Sequence, residues 1–147
     1  MIPFNELHKQ NHEISELCQV LSTLIADRSM CDSQVTCELF ERFGARFRDH
    51  MDMEDKTIYS KLLSASDKSV NSSALRSLNS SKELKRIFSA YMNKWCRKGA
   101  LYINDHDTFV KETREMFGFI LDRVQDETEQ LFPLARDTEQ HRKAANG

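Results

Sequence analysis

The chain has 147 residues, 39% of them hydrophobic and 30% charged, the balance of a soluble globular domain that can bury one core unaided. With 21 basic and 23 acidic side chains the formal net charge is -2, so no positive footprint for nucleic acid or an anionic membrane surface is present. Four Gly and two Pro amount to about a third of the average usage of roughly 12%, too few for the turns of an all-β fold.

A helical protein is therefore expected. The opening Met1-Ile2-Pro3-Phe4-Asn5-Glu6 lacks the basic and apolar regions of a secretory leader, and no run approaches the roughly 18 apolar residues of a membrane span. A cytoplasmic location follows as the expectation. Cys18, Cys31, Cys37 and Cys96 form no C-x-x-C pair and read as reduced thiols or small hydrophobes.

In chain order, the first predicted helix covers about 5–26, with Leu7, Ile14, Leu17, Leu21, Leu24 and Ile25 in one stripe after Pro3. Residues 27–33 are turn-like. The second helix, about 33–63, places Leu39, Phe40, Phe43, Phe47, His50, Glu54, Ile58 and Leu62 on one face, so a histidine and a glutamate interrupt an apolar stripe. Residues 64–81 are serine-rich and read either as a linker or as a short extra helix around Leu75 and Leu78. The third helix, about 81–98, presents Leu84, Ile87, Phe88, Tyr91 and Trp95 and is expected to end at Gly99 in a left-handed cap. The fourth starts at Asn104 or Asp105, presents Phe109, Thr113, Met116, Ile120, Val124, Glu127 and Leu131, and is expected to stop at Pro133. The division expected is a bundle over 1–135 and a polar, frayed tail over 136–147.

Four amphipathic helices joined by short connections predict an all-α, up-down-up-down four-helix bundle without a sheet. In that topology His8, Asn11 and His12 share a level with His50, Glu54, Arg123 and Glu127. His106 falls at the opposite end, roughly 30 Å along the fourth helix from Glu127 at about 1.5 Å per residue.

The segment His50-Met51-Asp52-Met53-Glu54-Asp55-Lys56-Thr57-Ile58-Tyr59 resembles the H-x-x-x-E-E/D-x-x-L-Y/F signature of hemerythrin-like (HHE cation-binding) domains. Glu127-Thr128-Glu129-Gln130-Leu131-Phe132-Pro133 is similar to the E-x-x-x-L-F-P ending of their fourth helix. In both segments the glutamate precedes an aromatic residue by five positions. The stretch from Tyr91 and Trp95 through Phe109, Thr113 and Arg123 to Pro133 is similar to a bacterial subgroup of these proteins. The resemblance covers most of 7–134. It implies a four-helix bundle holding a non-haem di-iron site on His and Glu or Asp ligands, used for oxygen handling or for iron and redox sensing.

Several family ligand positions are altered. The histidine expected four residues before the fourth-helix glutamate is Arg123, whose guanidinium is always protonated and cannot ligate a metal. The third helix has no histidine. On the first, the family alignment puts Asn11 at the ligand position, with His8 one turn earlier and His12 one residue later. The ligand-type residues are thus His50, Glu54 and Glu127, with His8 the favoured contribution from helix one. Which of His8, Asn11 and His12 faces the pocket stays open.

Buried carboxylates need a cation, because an unpaired buried ion costs several kcal/mol. Either one or two iron ions supply it or, with no metal, Arg123 does. Two functions follow from this choice. One is a metal-binding sensor or carrier with an incomplete ligand set. The other is a metal-free regulatory or scaffolding bundle whose partner is a signalling or regulatory protein. A histidine phosphotransfer domain using His8 or His12 is a third reading. No Gly-rich phosphate loop, Ser-His-Asp pattern or nucleophilic-cysteine signature occurs, so an enzyme is not expected. The sequence assigns no oligomeric state.

Overall fold

The computed structural model describes the backbone of residues 1–146; Gly147, the end of the expected tail, lies outside the described residues. Helix α1 spans Phe4–Leu24 and buries Leu7, Ile14, Leu17 and Leu21. The predicted turn after it holds one helical turn, α2 (Arg28–Cys31), which Asp27 caps by accepting from the Ser29 amide. Helix α3 (Gln34–Glu54) starts at Ser33, whose hydroxyl accepts from the Thr36 amide. It runs through a π-helical turn, Asp55–Tyr59, into the short α4 (Ser60–Leu62).

The serine-rich stretch is neither a linker nor a separate short helix. It is the first half of α5, which spans Lys68–Trp95 and begins at an Asp67 cap. Its inward positions are small: Ala74 and Ser81 are fully buried, so this half of α5 packs without the large apolar stripe that marks a helix in sequence. The expectation of no sheet is also corrected. Cys96–Arg97 (β1) pairs antiparallel with Ala100–Leu101 (β2). Lys98 and Gly99, with φ of 51° and 74°, form the two-residue turn between them. Gly99 is left-handed as expected, but it closes a hairpin and does not cap a helix.

Helix α6 (His106–Asp126) starts at Asp105, whose carboxylate accepts from the Thr108 amide. A second π-helical turn, Glu127–Leu131, joins it to α7 (Phe132–Asn146). Pro133 therefore does not end the helix. The π turn resets the hydrogen-bond register, so proline falls in the first turn of a new α-helical segment, where its missing N–H is not needed. The expected frayed tail is helical and tied down: Glu139 accepts from the Ile2 amide and from Lys61, each at 3.1 Å.

Cross-helix contacts fix the direction of each neighbour. Glu13 with Arg46 and Gln10 with His50 run α1 against α3. Phe47 with Phe88 and Asp55 with Lys85 run α3 against α5. Lys94 with Glu112 and Ser77 with Arg123 run α5 against α6, and Ile25 with His106 and Asn11 with Glu127 close the ring between α1 and α6. All four pairings are antiparallel, which is the up-down-up-down bundle. Among the described residues no helix is long and apolar enough to cross a membrane.

The core falls into two apolar clusters. The larger holds Ile14, Phe40, Phe43, Phe47, Phe88, Trp95, Phe109 and Ile120, among others. The smaller gathers Ile2, Leu7, Ile58, Leu62, Ala74, Leu131 and Phe132 around the opposite end. Between them every bundle helix contributes buried polar residues: Gln10 and Asn11, then His50 and Glu54, then Ser81, then Arg123 and Glu127. One polar layer is thus sealed above and below by hydrocarbon.

Phe47 is buried against Phe88, with ring centroids 4.4 Å apart. Phe47→Ala is expected to destabilise the fold by about 3 to 5 kcal/mol, read from the midpoint shift in urea unfolding.

Candidate functional site

The polar layer is built on two helical pairs at i and i+4, His50 with Glu54 and Arg123 with Glu127, which share one face of each helix. Each carboxylate is divided between two cations. On one side Arg123 Nε donates to Glu127 Oε2 at 2.8 Å and Nη2 to Glu54 Oε2 at 3.2 Å. On the other, His50 Nε2 donates to Glu127 Oε1 at 2.8 Å and stands 3.1 Å from Glu54 Oε1. Gln10 Oε1 accepts from His50 Nδ1 at 2.8 Å, and Asn11 Nδ2 donates to Glu127 Oε1 at 2.9 Å.

The remaining guanidinium donors are also used. Arg123 Nη1 donates to the Ser77 carbonyl and hydroxyl, both at 3.1 Å, and Nη2 to the Tyr59 hydroxyl. Tyr59 in turn meets Ser77 Oγ at 2.9 Å. A planar fork is suited to bridging two carboxylates while its outer face binds backbone. Three buried side-chain atoms of the layer accept no aligned hydrogen bond, Glu54 Oε1, Asn11 Oδ1 and Ser81 Oγ, and of these Glu54 Oε1 has the His50 ion-pair contact.

Burial opposes a charge on His50, but the hydrogen bonds and charges of Glu127 and Glu54 outweigh it and raise its pKa to about 9. Both ring nitrogens face acceptors, as an imidazolium requires. Two buried carboxyl groups therefore meet two buried cationic groups. The two carboxyls diverge. Burial and the Glu127 charge push Glu54 upward, whereas for Glu127 the shared hydrogen bonds and the His50 and Arg123 charges overcome burial and hold it well below the usual range. Glu127 has three donors and Glu54 one aligned donor, which is the geometric reason for that order.

Both carboxylates stand at the entry of a π-helical turn. Phe132 N–H reaches back five residues to the Glu127 carbonyl. The five-residue spacing of glutamate and aromatic, seen twice in the sequence, is one π turn on each helix. Inserted π turns recur at functional positions.

Of the residues singled out from sequence, His50, Glu54 and Glu127 come together, with one potential ligand atom from each within 4.8 Å of the others. His8 does not join them and is corrected: its ring packs edge-on against Phe132 at 4.9 Å. Leu7, Asn11 and Ile14 define the inward stripe of α1, so His8 lies about 100° off it and the first helix supplies Gln10 and Asn11. His12 is exposed and pairs with Glu16 at 2.9 Å. His106 Nε2 donates to the Ile25 carbonyl at the far end, as the topology demanded. His141 is exposed on α7. Val124 is only half-buried, and Arg123 takes the inward position in its place. Sequence reasoning missed Gln10, Ser77 and the site role of Tyr59; Tyr59 was visible as the aromatic of the motif, while Ser77 was hidden in a serine-rich run and Gln10 beside the candidate Asn11.

A pair of metal ions does not fit this layer. The oxygens that would face a second ion are bound by Arg123, and its guanidinium fills that side. His50 Nε2, Glu54 Oε1 and Glu127 Oε1 remain as a three-donor set of the type that holds a single ion.

Two outcomes follow for stability. Because the pKa of His50 is higher in the folded chain, its contribution is fully present below the ordinary value of 6.5 and is lost as pH rises through about 9. The melting temperature should therefore fall over that interval, and His50→Gln should flatten this fall. Arg123→Met, which leaves two buried carboxylates facing each other, should cost about 3 to 5 kcal/mol by chemical denaturation.

The family model described as Hemerythrin HHE cation binding domain matches residues 2–135. No curated protein and no solved structure gives a significant match.

Proposed function

The chain belongs to the hemerythrin HHE cation-binding family, and within it we propose a non-catalytic regulatory bundle in which Arg123 stands in for metal charge. The observation that supports this reading is the single guanidinium that bridges Glu54 and Glu127. A tethered cation cannot be exchanged, reduced or lost, so the fold is complete without loading. Such a bundle acts by presenting its surface to a signalling or regulatory protein in the cytoplasm.

A second reading is favoured by a separate observation, that neither Glu54 Oε1 nor Asn11 Oδ1 accepts an aligned hydrogen bond. On that reading the protein is a single-ion sensor or carrier, with iron suited to the mixed imidazole and carboxylate donors. His50, Glu54 and Glu127 would hold the ion, and its chemistry would be reversible binding or a change of oxidation state. Gln10 already orients the ring by accepting from Nδ1, the kind of contact that sets ligand direction.

Metal content of wild type and Arg123→His, purified side by side without chelator, separates the two. Charge replacement requires colourless wild-type protein with far less than stoichiometric iron, and raised uptake by the variant, whose new imidazole stands one turn before Glu127. Stoichiometric iron in wild type, unchanged by the substitution, would overturn charge replacement in favour of the sensor or carrier.

A further inference from the structure

The end of the bundle opposite the polar layer holds chemistry that the proposed function does not use. Cys18 and Cys31 are sealed in the core, whereas Cys37 and Cys96 are half-buried. These two partly accessible thiols, 59 positions apart in sequence, line one cavity of about 260 Å³ together with Phe40, Glu41, Arg48 and Met92. Cys37 and Glu41 share a face of α3 at i and i+4. The hairpin turn presses on that face: a Cβ built on Gly99 would come 2.6 Å from Glu41 Oε1. The same hairpin begins at Cys96, so the ribbon carries its thiol over the first turns of α3.

We propose that Cys37 and Cys96 form a reversible dithiol–disulfide site for which hydrogen peroxide is the oxidant. The Cys37 sulfur attacks one peroxide oxygen and the O–O bond breaks. The leaving hydroxide takes up the thiol proton as water, and Cys37 becomes a sulfenic acid. The Cys96 sulfur then attacks the Cys37 sulfur, the S–O bond breaks, and a second water leaves with the Cys96 proton. Two thiols are oxidised to one disulfide while the peroxide is reduced to two waters. The order follows from environment. Burial pushes the Cys96 thiol up to about 12, with the nearby Cys37 adding to the shift and Arg48 opposing it, which disfavours its thiolate and makes Cys96 the resolving partner. The product staples the start of α3 to the ribbon between α5 and α6.

The full chain is treated with hydrogen peroxide, its remaining thiols are alkylated, and it is digested without reduction for mass spectrometry. The expected product is a cross-linked peptide pair, two hydrogens lighter than its parts, with fragment ions that place the link at Cys37 and Cys96. Cys31 lies in the same tryptic peptide as Cys37, and its fragment ions should show it alkylated only after unfolding. Dithiothreitol should remove the link, and oxidation should raise the melting temperature of wild type but not of Cys96→Ser. In Cys37→Ser the Cys96 thiol should stay reduced. Oxidation of Cys37 to sulfinic acid with Cys96 still free, or links found only between chains on a non-reducing gel, would overturn the proposal.

Discussion

A carboxylate removed from water must find a positive charge, and this chain removes two of them at one level of one bundle. Glu54 and Glu127 are fully buried, so neither can exist as an anion unless the cations beside it are equally buried and aligned. Arg123 and His50 meet that condition from opposite sides, one on the Oε2 atoms and the other on the Oε1 atoms. Small residues on α5 leave room for the guanidinium, Ser77 takes its outer donors, and Gln10 fixes the imidazole. Much of the irregular detail of the fold follows from this requirement.

The two apolar clusters strengthen the layer they enclose. Excluding water lowers the local dielectric, which makes matched charges attract more strongly and unmatched ones cost more. The charge arrangement is therefore coupled to packing at both ends: Phe47 and Ile120 lie in one cluster, and Leu131 and Phe132 in the other. In this member of a cation-binding family the layer already carries a fixed positive charge, the Arg123 guanidinium bridging both glutamates. Guanidinium is a donor and never a ligand.

The π turns show how one inserted residue serves two ends. Each opens directly at a buried glutamate, and each shifts the register of everything that follows. On the last helix that shift is also what lets Pro133 sit inside a continuous run, and α7 then reaches back to hold the N-terminus through Glu139. The bundle is closed at that end by ion pairing, and at the other by a hairpin whose turn needs two left-handed residues.

The helices with broad apolar stripes were legible from sequence alone, because burying large side chains at a period of 3.6 leaves a mark that does not depend on the partner. So were His50, Glu54 and Glu127, since polar residues inside such a stripe have nowhere to go but the core. The level at which they meet, and the remoteness of His106, followed from chain direction and rise per residue. Tertiary structure decided the rest. The start of α5 packs through alanine and serine, which read as a linker until a neighbouring arginine is seen to need the space. Whether His8, Asn11 or His12 turned inward depended on a helix rotation of about 100°, smaller than periodicity resolves in a helix with polar residues on both flanks. The hairpin and the passage of Pro133 through a helix rest on backbone register. Register is set by hydrogen bonds between residues, not by the character of any one of them.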